Sequence, residues 1–115
     1  MNYDRYAIGL LIAAPDAPEL GEQAAAALQD AHMRHLADLH ETGVLLAAGP
    51  LFDEEYRGLS ILNVEPERAR ELDEQDPAVR AGLYSIKTIS WMVPGGVMAF
   101  SPGRLPRSVA EAGGR

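Results

Sequence analysis

The sequence predicts an α+β fold in the order strand, helix, strand, strand, helix, strand. Three observations carry this. Short apolar runs with period-two alternation or sharp Gly/Pro boundaries occur four times. A long alanine-rich segment with helical spacing separates the first run from the second. A shorter proline-initiated segment separates the third from the fourth. With 115 residues, 47% hydrophobic and 23% charged, the chain has the size and composition of one folded domain.

In the first run Tyr6, Ile8, Leu10 and Ile12 alternate with Ala7, Gly9, Leu11 and Ala13. Both faces are apolar, which marks a buried strand rather than an edge. Pro15 and Pro18 end the extended run. From about Gly21 to Thr42 a helix is expected. Ala24 to Ala27 supply propensity, and Leu28, His32, His35, Leu36 and Leu39 form one stripe. Gly43 is placed to stop it.

Val44 to Ala48 and Leu59 to Val64 read as a hairpin joined through the acidic turn Phe52-Asp53-Glu54-Glu55-Tyr56-Arg57. Pro66 suits the first turn of a second helix running to about Gln75, with Ala69 and Leu72 inward. Asp76-Pro77 ends it and can open a short turn through Ala78, Val79 and Arg80. Leu83 to Val93 alternates again as the fourth strand. Residues 97–115, rich in Gly, Pro and Arg, read as a tail beyond a domain of residues 1–96, with Val97, Met98 and Phe100 anchoring its start.

This order is the split βαβ, or ferredoxin-like, arrangement: a four-stranded antiparallel sheet with two helices on one face. The other face is bare. Because the first, second and fourth strands are apolar on both faces, isologous pairing of two sheets into a homodimer, or a higher oligomer, is expected to cover it.

A net charge of −7 provides no broad basic surface, so nucleic acid and anionic membrane are poor partners and a small molecule or another protein is favoured. There is no cysteine, which excludes disulfides, thiolate nucleophiles and thiolate metal sites. The apolar stretch Ala7 to Ala14 is too short to span a bilayer, and Asp4 offsets Arg5 ahead of it, unlike a signal peptide. A cytoplasmic location is expected.

The helix segment AHMRHLADLH holds all three histidines. His32 and His35 are three apart and could approach one metal ion, but neither an HExxH pattern nor a thiolate completes such a site, and no metal is expected. His35 and His40 read as solvated helix residues. His32 shares its stripe with Leu28, Leu36 and Leu39 and is expected to be at least half buried. It is then either a core histidine with its hydrogen bonds satisfied, or one arm of an acid–base pair whose carboxylate sets its tautomer.

Three stretches resemble the YCII-related proteins of the dimeric α/β-barrel superfamily. AHMRHLADLHETGVLLAAGPL, from Ala31 to Leu51, has a histidine eleven residues before the helix-ending glycine, followed by a leucine-rich strand and Ala-Gly-Pro. RGLSILNVE is similar to the family's third strand, and DEQDPAVRAGLYSIKTISWM to its Asp-Pro turn, Ala-Gly and final strand. The resemblance implies a dyad of His32 and Asp76 in a cleft of each subunit, with Ser60 as a ligand contact.

It also implies cofactor-independent proton transfer on a small aromatic or polyketide-like compound, of lyase, isomerase or dehydrochlorinase type. Gln29 departs from the arginine that family members often carry three residues before the histidine, and Ala78 from the aromatic residue that commonly follows Asp-Pro. The rival readings are a non-catalytic module that holds a small ligand in the same cleft, and an interaction unit that uses Asp53 to Glu55.

Overall fold

The computed structural model describes residues 1–113. Its elements are β1 (Tyr3–Ala13), α1 (Glu22–Glu41), β2 (Leu45–Pro50), β3 (Tyr56–Leu62), α2 (Pro66–Asp73), α3 (Pro77–Arg80), β4 (Tyr84–Pro94) and α4 (Val109–Gly113). All sheet pairings are antiparallel, in the order β2-β3-β1-β4. This is the expected ferredoxin-like α+β arrangement, with β1 inside the sheet.

Local chemistry explains most boundaries. β1 begins three residues before its apolar run because Tyr3, Asp4 and Arg5 pair with Pro94, Val93 and Met92. Along α1 the residues from Glu22 to Ala27 are exposed, so that stretch rests on alanine propensity rather than packing. At its far end Gly43 adopts φ 83°, the left-handed conformation glycine accepts without cost. The acidic hairpin loop is closed by Asp53, whose Oδ2 accepts from the amides of Glu55 (3.0 Å) and Tyr56 (2.8 Å).

Residues directly opposite across antiparallel strands share a face. Ala7 pairs with Leu62, and Leu62 with Leu45. These three, with Ala69 from α2, form the buried core under the helices, and Leu36, Leu39 and Leu105 pack around it. Gly9 and Ser60 are opposite each other on the same covered face. The other face carries Ile8, Leu10, Leu59, Ile61, Ile89 and Trp91. Ile89 and Trp91 are exposed, and the first four are half-buried.

One end of this bare face is covered from within the chain. Tyr6 lies between Trp91 and Phe100, with ring centroids 6.2 Å and 5.7 Å away, the latter edge-on. Val97, expected to help anchor the chain here, is 69% exposed, and Phe100 reaches back to Tyr6 instead.

The stretch read as a tail runs along α1. Arg107 forms ion pairs with Asp38 and Glu41, the Val109 amide donates to Asp30, and Leu105 reaches the core. Among the described residues no helix is long and apolar enough to cross a membrane.

Candidate functional site

Between α1, the covered face of the sheet and the tail lies a cavity of about 480 Å³. His32, Asp73, Asp76 and Ser60 line its polar part, and Leu36 and Leu105 belong to its apolar wall. The three residues expected at a site from the sequence, His32, Asp76 and Ser60, are thus brought into one cavity.

His32 is held by its helical stripe, which turns it inward to 9% exposure. Asp76 is held by the chain reversal after α2. Its backbone is extended, it caps α3, and its Oδ1 accepts from the Ala78 amide at 2.9 Å. Its other oxygen, Oδ2, takes a hydrogen bond from His32 Nδ1 at 2.6 Å. Asp76 is 2% exposed, so this is an enclosed, charge-assisted contact.

With Nδ1–H directed at the carboxylate, Nε2 is the nitrogen left with a lone pair. No described residue hydrogen-bonds Nε2, and among the described residues no side-chain nitrogen or oxygen is both fully enclosed and unpartnered. Nε2 therefore opens on the cavity. The Tyr84 ring stands 6.5 Å from the imidazole and helps wall that side.

Asp73 is a further acid of the cavity that the sequence pattern does not mark as functional. It is 7% exposed, at the last turn of α2, and points toward β1 and β3. A Cβ at Gly9 would stand 2.6 Å from Asp73 Oδ2 and 2.6 Å from Ser60 Oγ, so both polar groups depend on the missing side chain of Gly9. Burial pushes the Asp73 carboxyl up to about 7; the neighbouring Asp76 charge adds to the rise and His32 opposes it. One signal could have revealed it: position 73 follows Ala69 by four and so extends the inward side of α2.

The other histidines are not the solvated residues expected. His35 Nε2 donates to the Leu72 carbonyl at 3.0 Å and ties α1 to the end of α2, next to Asp73. His40 faces two carbonyls, Leu45 at 2.8 Å from Nδ1 and Gly103 at 2.9 Å from Nε2. The Gly103 carbonyl first, and that of Leu45 second, raise its pKa, because only the imidazolium donates from both nitrogens. Both side chains turn back to backbone acceptors that sequence spacing does not display. Asp53, Glu54 and Glu55 lie exposed on the hairpin loop.

The family described as YCII-related domain matches residues 9–92. Among solved structures, the chain is similar to 5-chloro-2-hydroxyhydroquinone dehydrochlorinase from Burkholderia phenoliruptrix AC1100, in complex with 2,5-dihydroxybenzoquinone. The TM-score is 0.53 at 20% identity, over 79% of this chain and 95% of the other. That likeness is one of fold. No curated protein matches significantly.

Proposed function

The chain belongs to the YCII-related family, and from that membership and the geometry of its cleft we propose that it is a small-molecule enzyme whose His32–Asp76 dyad moves a proton. The observation that carries this reading is the 2.6 Å contact between His32 Nδ1 and Asp76 Oδ2, with Nε2 left open to a cavity of about 480 Å³. A cavity of that size suits one small ring compound.

In this reading His32 Nε2 takes a proton from the bound compound and Asp76 stabilises the imidazolium that results. Asp76 is suited to that task because the Ala78 amide already fixes its second oxygen. The substrate class is a hydroxylated ring or enolisable carbonyl compound, undergoing tautomerisation or loss of HX. The solved dehydrochlorinase of the same fold acts on a compound of that class, which motivates the choice of probe. Ser60, on the cavity wall, is a ligand contact.

We further propose that the protein works as a homodimer. Ile89, Trp91 and Met92 are exposed on β4, and pairing with a second copy would remove from water the apolar face to which Ile89 and Trp91 belong.

The test is chloride release from 5-chloro-2-hydroxyhydroquinone by the wild type and by His32→Ala, with mass and secondary structure checked for both. Turnover lost in a folded dimeric variant supports the dyad. Equal turnover in both removes it. A wild type that binds the ring compound without turning it over favours the binding-module reading.

A further inference from the structure

Asp73 is a buried acid that the dyad does not use. Its carboxyl takes no hydrogen bond from any described residue. Since no side-chain oxygen among the described residues is both fully enclosed and unpartnered, it opens on the same cavity as His32. The groups around it are fixed from several elements: Gly9 on β1, Ser60 on β3, His32 on α1 and Asp76 ahead of α3, with Arg57 and Tyr84 also lining the cavity. An unpartnered carboxyl beside a second carboxyl is costly as an anion and serviceable as a neutral acid.

We propose that Asp73 is a second catalytic residue of the cleft, binding in its protonated form to an oxygen of the substrate and delivering its proton there as His32 removes one from carbon. This rests on the dyad for the identity of the base. In the enolisation so described, the C–H proton passes to His32 Nε2 and the C–H electron pair becomes the new C=C bond. The carbonyl π pair moves onto oxygen, which takes the O–H proton of Asp73. The cleft is left with an imidazolium and a carboxylate, and solvent returns both to their starting forms after product leaves.

The geometry fits this assignment in one further respect. Gly9 and Ser60 set Asp73 against the sheet, where a side chain at position 9 would displace it. The burial that raises the carboxyl to about 7 keeps much of it protonated near neutrality.

The probe is 2,5-dihydroxybenzoquinone, titrated calorimetrically into the wild type, Asp73→Asn and His32→Ala at pH 6 and pH 8, in two buffers of different ionisation enthalpy. If only neutral Asp73 binds the oxygen, wild-type affinity falls about tenfold between the two pH values, as the competent fraction falls, and binding at pH 8 takes up nearly one proton. Asp73→Asn, which still donates a hydrogen bond, binds without that uptake and without that fall; His32→Ala retains both, displaced to higher pH because His32 opposes the rise of the Asp73 carboxyl.

Uptake that persists in Asp73→Asn overturns the proposal, as does failure of the folded wild type to bind the quinone at either pH. Failure of the dyad is read separately, from chloride release by His32→Ala, and the two results can differ.

Discussion

Asp76 joins two elements through one carboxylate: it accepts from His32 on α1 at 2.6 Å and from the Ala78 amide of α3 at 2.9 Å, across a separation of 44 residues to His32. The helix cap and the imidazole contact therefore depend on the same side chain. Asp76→Ala removes a helix cap and leaves a buried imidazole without its acceptor, for a loss of about 2–4 kcal/mol by urea denaturation. Asp76→Asn keeps an oxygen for the cap and costs less, but turnover of an accepted substrate falls on the order of 10²–10³-fold, because an amide N–H now faces Nδ1 and reverses the tautomer.

Gly9 makes room for the acid. In Gly9→Ala the new Cβ meets Asp73 Oδ2 and Ser60 Oγ at 2.6 Å, well inside contact distance. The expected loss is roughly 1–3 kcal/mol. Replacing Ser60 with Ala alongside removes one of the two clashes, so the double variant should be more stable than the sum of the single effects, as a double-mutant cycle would show.

Asp73 also imposes a pH dependence on stability. Its folded pKa, about 7, lies above the ordinary 3.8, so between these values the folded state binds more protons than the unfolded state. Its contribution is unaffected below about pH 4, declines as pH rises to 7, and is constant above. Asp73→Asn should therefore gain stability relative to wild type by roughly 2–4 kcal/mol at pH 8 compared with pH 4. Equal shifts at both pH values would place the carboxyl in water.

The segment after β4 is latched by a group with the same sign of pH dependence. His40 has its folded pKa raised above 6.5 by the carbonyls of Gly103 and Leu45. The stabilisation is fully present below about pH 6.5 and is lost as pH rises through the folded value. Amide exchange of residues 104–113, corrected for intrinsic rates, should show more protection at pH 6 than at pH 8, and His40→Gln should abolish the difference. High salt should loosen the same segment through Arg107, Asp38 and Glu41, which are partly exposed.

The sequence made the element order legible because each element satisfied its own rule: alternation in β1 and β4, alanine and a leucine stripe in α1, proline at the start of α2. His32 could be placed inward from the spacing of Leu28, Leu36 and Leu39, since helical periodicity is local. Its pairing with Asp76 rested on family resemblance, as no periodicity connects residues 44 apart. Asp73 carries no mark by residue type, because an acidic residue at the end of a highly charged helix gives no sign that the sheet beneath it has a glycine. The docking of residues 101–113 was equally invisible. Gly, Pro and Arg composition reads as loop, while the ion pairs and amide contact that hold it to α1 are long-range.

The central claim is that His32 is held by Asp76 with Nε2 free to accept a proton. The most direct measurement is the ¹⁵N chemical shift pair of the His32 ring in neutral wild-type protein and in Asp76→Asn. The expected result is a wild-type imidazole protonated on Nδ1, changing to Nε2 protonation in the variant. A wild-type imidazole protonated on Nε2, or one whose tautomer is indifferent to Asp76→Asn, would contradict the dyad.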